Sequence, residues 1–152
     1  MVGRGNIDPW SSEQSTDYDR MIEQFGMTPM DLGSLPNPGM LHRRGIVFAH
    51  RDLDVITDSI TKGDPFGVLT GLMPSGRMHL GHSMVIEQVR WFQEQGADVT
   101  VAVADLEALA TRGTSLSNGR ETALREYVLN YAALGLDSDK TNVYFQSSRP
   151  EV

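Results

Sequence analysis

The sequence predicts an α/β fold with a parallel sheet, the first half of a doubly wound domain preceded by an irregular, partly helical N-terminal arm. Three observations predict it. From Asp64 onward, apolar runs alternate with segments of helical spacing, in the order strand, helix, strand, helix, strand. The middle run, Val99 to Ala104, is apolar at every position except Thr100, which suits a strand covered on both faces. Each helical segment closes on a glycine, Gly96 and Gly135, as helices commonly do.

The elements follow in order. Residues 1–40 are rich in Gly, Pro, Ser and Asp, and one helix is expected there, from Asp17 to Phe25, stopped by Gly26. Thr28 to Met40 carries Pro29, Pro36 and Pro38 and reads as an irregular arm. Ile46-Val47-Phe48 reads as a short strand. Asp52 is expected to cap a helix whose apolar face is Leu53, Ile56 and Ile60, ending at Gly63. Phe66 to Leu72 is a strand. Gly81 to Gln95 is a helix with Val85, Val89 and Phe92 on one face. Asn118, three residues before Glu121, is expected to cap a helix carrying Leu124, Tyr127, Val128, Tyr131 and Leu134. Tyr127, Tyr131 and Leu134 are expected in the core. Asn142 to Gln146 is the last strand. The expected division is an arm with helices over residues 1–63 and a sheet-bearing half over residues 64–152.

Composition narrows the class of function. The chain has 152 residues, 39% hydrophobic and 22% charged, ordinary values for a globular protein. Its formal charge of −7 argues against a broad basic nucleic-acid surface, without excluding a local one. It has no cysteine, so disulfides and thiolate metal sites are excluded and a reducing compartment fits. No apolar run approaches a membrane span, and Met1 to Asn6 lacks the apolar segment of a signal peptide. A cytoplasmic protein is the expectation, with no membrane partner.

The most informative stretch runs from Leu69 to His82. It reads as a strand end, a Met73-Pro74-Ser75-Gly76 turn, and His79-Leu80-Gly81-His82 opening a helix. The first turn of a helix has N–H groups without internal acceptors, and these favour phosphate. Gly81 has no side chain, so a flat base can lie against the backbone there. His79 and His82 can donate hydrogen bonds to phosphate oxygens. Ligands in such sheets sit at the carboxyl ends of the strands, so Glu107, just past the second strand, should face the same crevice. There is no P-loop and no dinucleotide fingerprint. Blander readings stand beside these. The two histidines without their neighbours read best as ordinary capping residues, and two are too few for a metal site, so none is expected. Glu107 alone reads as a solvated residue at a helix start. Met21, Met27, Met30 and Met40 are expected to pack the arm.

His79-Leu80-Gly81-His82, after a strand and a Pro-Ser-Gly turn, resembles the HIGH signature of class I aminoacyl-tRNA synthetases. The segment from Arg43 to Asp52 (Arg-Arg-Gly-Ile-Val-Phe-Ala-His-Arg-Asp) resembles the one before the catalytic domain in archaeal and eukaryotic tryptophanyl-tRNA synthetases. Asp8-Pro9-Trp10, Asp17-Tyr18-Asp19, Lys62 to Phe66 and Ala104 to Ala108 extend the likeness over nearly the whole chain. The resemblance implies a Rossmann-like catalytic domain that activates tryptophan with ATP, accompanied by Mg2+, and transfers it to tRNA(Trp). It implies His79 and His82 on the phosphates, with Met73, Pro74 and Ser75 beside the nucleotide and Gly81 under the adenine. It implies tryptophan held by Leu69, Gly71 and Glu107, and a homodimer. The sequence departs from eukaryotic members where they often carry Tyr at Leu69, Gln at Ala102 and Asp at Leu106. No lysine loop of the KMSKS type and no second half of the fold is present, so the chain reads as the N-terminal part of a synthetase that alone should not catalyse efficiently. Three alternatives remain open: a tyrosine–tRNA ligase, a small nucleotidylyltransferase, and a non-catalytic fragment that binds ATP or an amino acid.

Overall fold

The computed structural model describes residues 17–151. Asp8-Pro9-Trp10 and the Met1 to Asn6 leader reading lie outside them. The chain forms two compact units, one through Thr57 and one from Asp58.

In the first unit, helix α1 (Tyr18–Phe25) starts where Asp17 accepts the Arg20 N–H at 3.0 Å, and ends at Gly26 with φ 59°. This matches the expected helix. The arm after it is less irregular than expected. Thr28–Pro29 (β1) pairs antiparallel with Ala49–His50 (β2), and Met30 N–H bonds Phe48 O at 2.9 Å. The strand expected at Ile46-Val47-Phe48 therefore lies slightly later in the chain, because its partner is this Thr-Pro pair. A short helix, α2 (Met40–Arg43), also forms inside the arm, with Leu41 and His42 buried. Helix α3 (Leu53–Lys62) follows β2 and ends at Gly63, φ 74°. Its first N–H, on Leu53, is taken by His50 Nδ1 at 3.2 Å, the role expected of Asp52. Asp52 instead turns the chain with φ 56°.

His42 is 4% exposed, and its Nδ1 accepts the Gly39 N–H at 3.1 Å. Burial first, and the Arg43 charge second, lower its pKa below the ordinary 6.5. The unfolded chain then binds more protons here than the folded one, so this stabilisation is present above pH about 6.5 and is lost as pH falls through the lowered value. Unfolding is expected at a lower temperature near pH 5 than near pH 7.5 (about one unit either side of that value). In His42→Asn, which keeps an acceptor that does not titrate, the difference should shrink. An undiminished difference in a melting comparison would remove His42 from the account.

The second unit is the predicted α/β half. Three strands, β3 (Gly67–Leu72), β4 (Asp98–Val103) and β5 (Thr141–Phe145), form a parallel sheet in the order β3-β4-β5. Leu72, Val103 and Phe145 stand in register, so all three strands finish at one edge. Helix α4 (Leu80–Glu94) joins β3 to β4. The second crossover holds more than the one helix expected. It contains α5 (Asp105–Arg112), α6 (Leu116–Thr122), a π-helical segment over Ala123–Val128, and α7 (Leu129–Ala133). The cap of α6 is Ser115, whose Oγ accepts the Asn118 N–H at 3.3 Å, so the predicted cap Asn118 is the group being capped.

The core joins one sheet face to these helices. Leu72, Val99 and Val101 pack with Ile86 and Val89 of α4 and with Tyr127, Tyr131 and Leu136. Alternation along the strands sends Leu69 and Gly71 to the other face, where Leu69 is 71% exposed. The inward face of α4 is Ile86, Val89 and Gln93, while Val85, expected inside, is 37% exposed. The sheet reading rested on β4, and β4 is indeed the buried central strand, with Val99, Val101, Ala102 and Val103 all buried. Among the described residues, no helix is long and apolar enough to cross a membrane.

Candidate functional site

The carboxyl edge of the sheet gathers the chemistry. β3 ends at Leu72, and the chain turns over Pro74, with Ser75 N–H bonding Met73 O at 2.8 Å. Proline presets the backbone for such a tight turn. Pro74 is fully buried and rests near Gly119 of α6, where an added Cβ would lie 3.9 Å from the proline ring. Thr111 Oγ1 lies 3.6 Å from Met73 Sδ, a weak bond that fastens the turn to α5. Ser75, Gly76 and Arg77 are exposed at its tip.

His79 is the N-cap of α4 in extended conformation (φ −132°, ψ 176°), and His82 is three residues into the helix. His82 Nδ1 accepts the His79 backbone N–H at 3.2 Å. That bond decides the tautomer. A nitrogen that accepts carries no proton, so the neutral ring holds its hydrogen on Nε2, which becomes the outward donor. Burial first, and the His79 ring second, lower the His82 pKa, which favours this neutral form. The two imidazoles lie 3.9 Å apart between centroids, tilted by 42°. A His82 ring favoured in its neutral form, with a second imidazole beside it at a helix N-terminus, is built to meet an oxyanion.

Gly81 has a neighbour that spacing alone did not disclose. A Cβ there would stand 3.2 Å from Cε1 and Nδ1 of His79, so in this structure the His79 ring lies over the glycine. Gly81→Ala should leave stability unchanged or raise it by up to about 1 kcal/mol, since alanine favours the helix. The methyl should nonetheless push the His79 ring away from the helix start and from the His82 ring that it meets at 3.9 Å. The histidine ring resonances of the variant check this, and an unmoved His79 ring would show that the glycine is not what seats it.

The other expected residues sit around the same edge. Leu69 and Gly71 lie on the open face of β3, where Gly71 comes close to Ala102 O, 3.6 Å from an added Cβ. Glu107 is exposed in the first turn of α5, at the carboxyl end of β4. Direct geometry links His79, Gly81 and His82. Met73, Pro74 and Ser75 are linked to them through the turn, while Leu69, Gly71 and Glu107 share only the sheet edge.

Two supports escaped the sequence reading. Asp105, 2% exposed, accepts the Ser147 N–H at 3.0 Å and also its hydroxyl, clasping the ends of β4 and β5. Asp105, two residues before the charged Glu107, carries no signal of burial in the sequence. A hollow lined by Leu106, Gln146, Arg149 and Pro150 opens at this edge, with the Arg149 guanidinium 4.5 Å from the Tyr144 ring centroid. None of the expected site residues lines it.

Comparison with known proteins gives a consistent outcome. The family model for class I tRNA synthetases (W and Y) matches residues 61–152. The chain is 46% identical over 143 residues to a tryptophan–tRNA ligase of Methanosarcina acetivorans, covering 93% of this chain and 32% of that one. It is 47% identical over 152 residues to a tryptophan–tRNA ligase of Methanopyrus kandleri, covering 96% of this chain and 40% of that one. Its fold superposes on the tryptophanyl-tRNA synthetase of Aeropyrum pernix with a TM-score of 0.82 at 42% identity, covering 94% of this chain and 41% of that chain. A tryptophanyl-tRNA synthetase of Encephalitozoon cuniculi solved with tryptophan gives 0.76 at 28% identity, over 87% of this chain and 42% of that chain. The chain thus spans between 32% and 40% of the length of these two curated relatives.

Proposed function

Since the chain belongs to the class I tRNA synthetases of the tryptophan and tyrosine group, we propose that it serves a tryptophan–tRNA ligase. In this reading the tryptophan carboxylate attacks the α-phosphorus of ATP and pyrophosphate leaves; the terminal ribose hydroxyl of tRNA(Trp) then attacks the adenylate carbonyl, taking the tryptophanyl group as AMP leaves. Phosphoryl chemistry of this kind asks the protein for positioning and charge stabilisation more than for covalent catalysis. The observation that carries the reading is the ring pair of His79 and His82 around Gly81 in the first turn of α4, with the His79 ring against the glycine, directly after β3 and its proline turn.

Each residue has a role. His82 donates its Nε2–H to the phosphate as negative charge builds, and the N-terminus of α4 adds its N–H groups. His79 offers a second donor. Met73, Pro74 and Ser75 hold the turn against the nucleotide, and Gly81, without a side chain, seats the His79 ring against the helix start. Leu69 and Gly71 offer an open surface to the indole, and Glu107 accepts a hydrogen bond from the amino group or the indole N–H. Mg2+ travels with the ATP phosphates. Among the described residues, no cluster of three or more His, Cys, Asp or Glu is set to hold a metal. The reading assigns residues 64–152 to the nucleotide-binding half and includes a homodimer in the cytoplasm.

Amino-acid-dependent exchange of pyrophosphate into ATP, measured on the product of the complete reading frame, tests the proposal. Tryptophan should support exchange and tyrosine should not. The reverse would make the protein a tyrosine enzyme, since the family model covers both amino acids. ATP binding without exchange for either would favour a non-catalytic binding module.

A further inference from the structure

One helical stretch braces the cradle from behind, and its irregularity is what allows it to do so. Gly119, Ala123, Tyr127 and Tyr131 are all buried, at intervals of four residues. A regular α-helix turns about 100° per residue, so steps of four drift by about 40° each and soon leave the face. The π-helical segment over Ala123–Val128 widens the helix within this stretch and takes up the drift. Gly119 therefore stays near Pro74 while Tyr127 stays beside His82.

The contact with His82 is specific in geometry. The Tyr127 and His82 rings meet edge to face, 5.5 Å apart at 80°. Tyr127 is 1% exposed, and its hydroxyl has no hydrogen-bond partner among the described residues. Since the hydroxyl is idle, the ring is the part of the side chain that the packing uses. The Tyr131 ring backs it at 6.5 Å, and its hydroxyl is equally unpartnered. His82 is thus held at two points, by the His79 N–H on Nδ1 and by the Tyr127 ring on its flank.

We propose that Tyr127 is a positioning residue, whose ring, presented by the π-helical segment, fixes the His82 imidazole so that its Nε2–H points out of the helix start. The role acts through His82 and needs no contact with substrate. Its consequence for catalysis rests on the function proposed above; the ring contact itself does not.

Two readouts test it, on the product of the complete reading frame labelled with 13C at histidine Cε1. The first is the His82 resonance, identified by its loss in His82→Asn. An aromatic ring at this distance should displace it. The displacement should persist in Tyr127→Phe and vanish in Tyr127→Leu. The second is pyrophosphate exchange. Tyr127→Leu should lower kcat about tenfold with little change in KM for ATP, as expected when an aligned group is loosened. Phe at this position should recover the rate and, by removing a buried hydroxyl without a partner, raise stability. Val89→Ala, a core truncation outside the site, should lower stability without moving the His82 signal or kcat. Should Tyr127→Leu not fold, cross-relaxation between Tyr127 and His82 ring protons in the unsubstituted protein decides alone. Absence of that cross-relaxation, or a His82 signal indifferent to Tyr127→Leu, overturns the proposal. An unsubstituted protein with the ring contact but no exchange overturns the proposed function and leaves this inference standing.

Discussion

His82→Asn is expected to lower pyrophosphate exchange by about 10²–10³-fold while the protein unfolds at an unchanged temperature. The substitution separates two duties of one ring. The asparagine carbonyl can still accept the His79 N–H, where His82 Nδ1 accepts it now, so the start of α4 keeps its cap. The shorter side chain has nothing at the position of Nε2, and the outward donor is lost. Such a donor is worth most in the transition state, where charge on the phosphate is greatest, so the loss should fall on kcat more than on KM. His82→Gln, whose amide reaches nearer to Nε2, should retain more activity than the asparagine variant. Steady-state exchange with tryptophan and thermal unfolding of both variants check this. Equal activity in His82→Asn and the unsubstituted protein would show that the imidazole only caps the helix.

Gln93→Ala is expected to cost about 2–3 kcal/mol of stability. Gln93 is 6% exposed, and its amide is fully engaged. Nε2 donates to Thr141 Oγ1 at 2.8 Å and approaches the carbonyls of Asp137 and Lys140 at 3.3 Å each. Oε1 accepts the Asp137 N–H at 2.8 Å. One side chain thus pins the loop that delivers the chain into β5, and its removal strands several polar groups at once. Urea unfolding measures the cost, and a change below about 0.5 kcal/mol would refute it. The contrast lies one residue on. Glu94 pairs with Arg90 on the exposed side of α4, and Glu94→Ala should change stability by less than about 1 kcal/mol, because solvent screens such pairs.

Gln93 also shows where sequence reading stops. On α4 it lies at helical spacing from Ile86 and Val89, yet a glutamine near the end of a helix reads as solvated. Its burial depends on the loop 44 residues further on. Asp105 is the same case, buried by Ser147 at a separation of 42 residues. The helix over Asp105–Arg112 is signalled in the sequence only by Glu107 as a residue at a helix start, since Ala104 before it offers no side-chain cap and the segment after β4 carries no clear apolar period. At two helix starts Asp52 and Asn118 read as the better acceptors, since His50 and Ser115 reach the N–H groups only once the local turn exists. The cradle was legible for the opposite reason. The order of strand, Pro-Ser-Gly turn and His-x-Gly-His is local, and each part needs only its neighbours in the chain to form.

By itself, then, the sequence determined the alternation of strands and helices, the parallel sheet with the Val99 run covered on both faces, and the place of the cradle after the first of its strands. These follow from short-range periodicity and turn chemistry, which act before distant segments meet. Tertiary structure alone decided the packing of the His82 ring against Tyr127, the clasp of Asp105 on Ser147 and the pinning of the β5 approach by Gln93. Each of these needs two backbone segments brought to hydrogen-bond or ring-contact distance, and that closeness comes only from the closed packing of helices on the sheet.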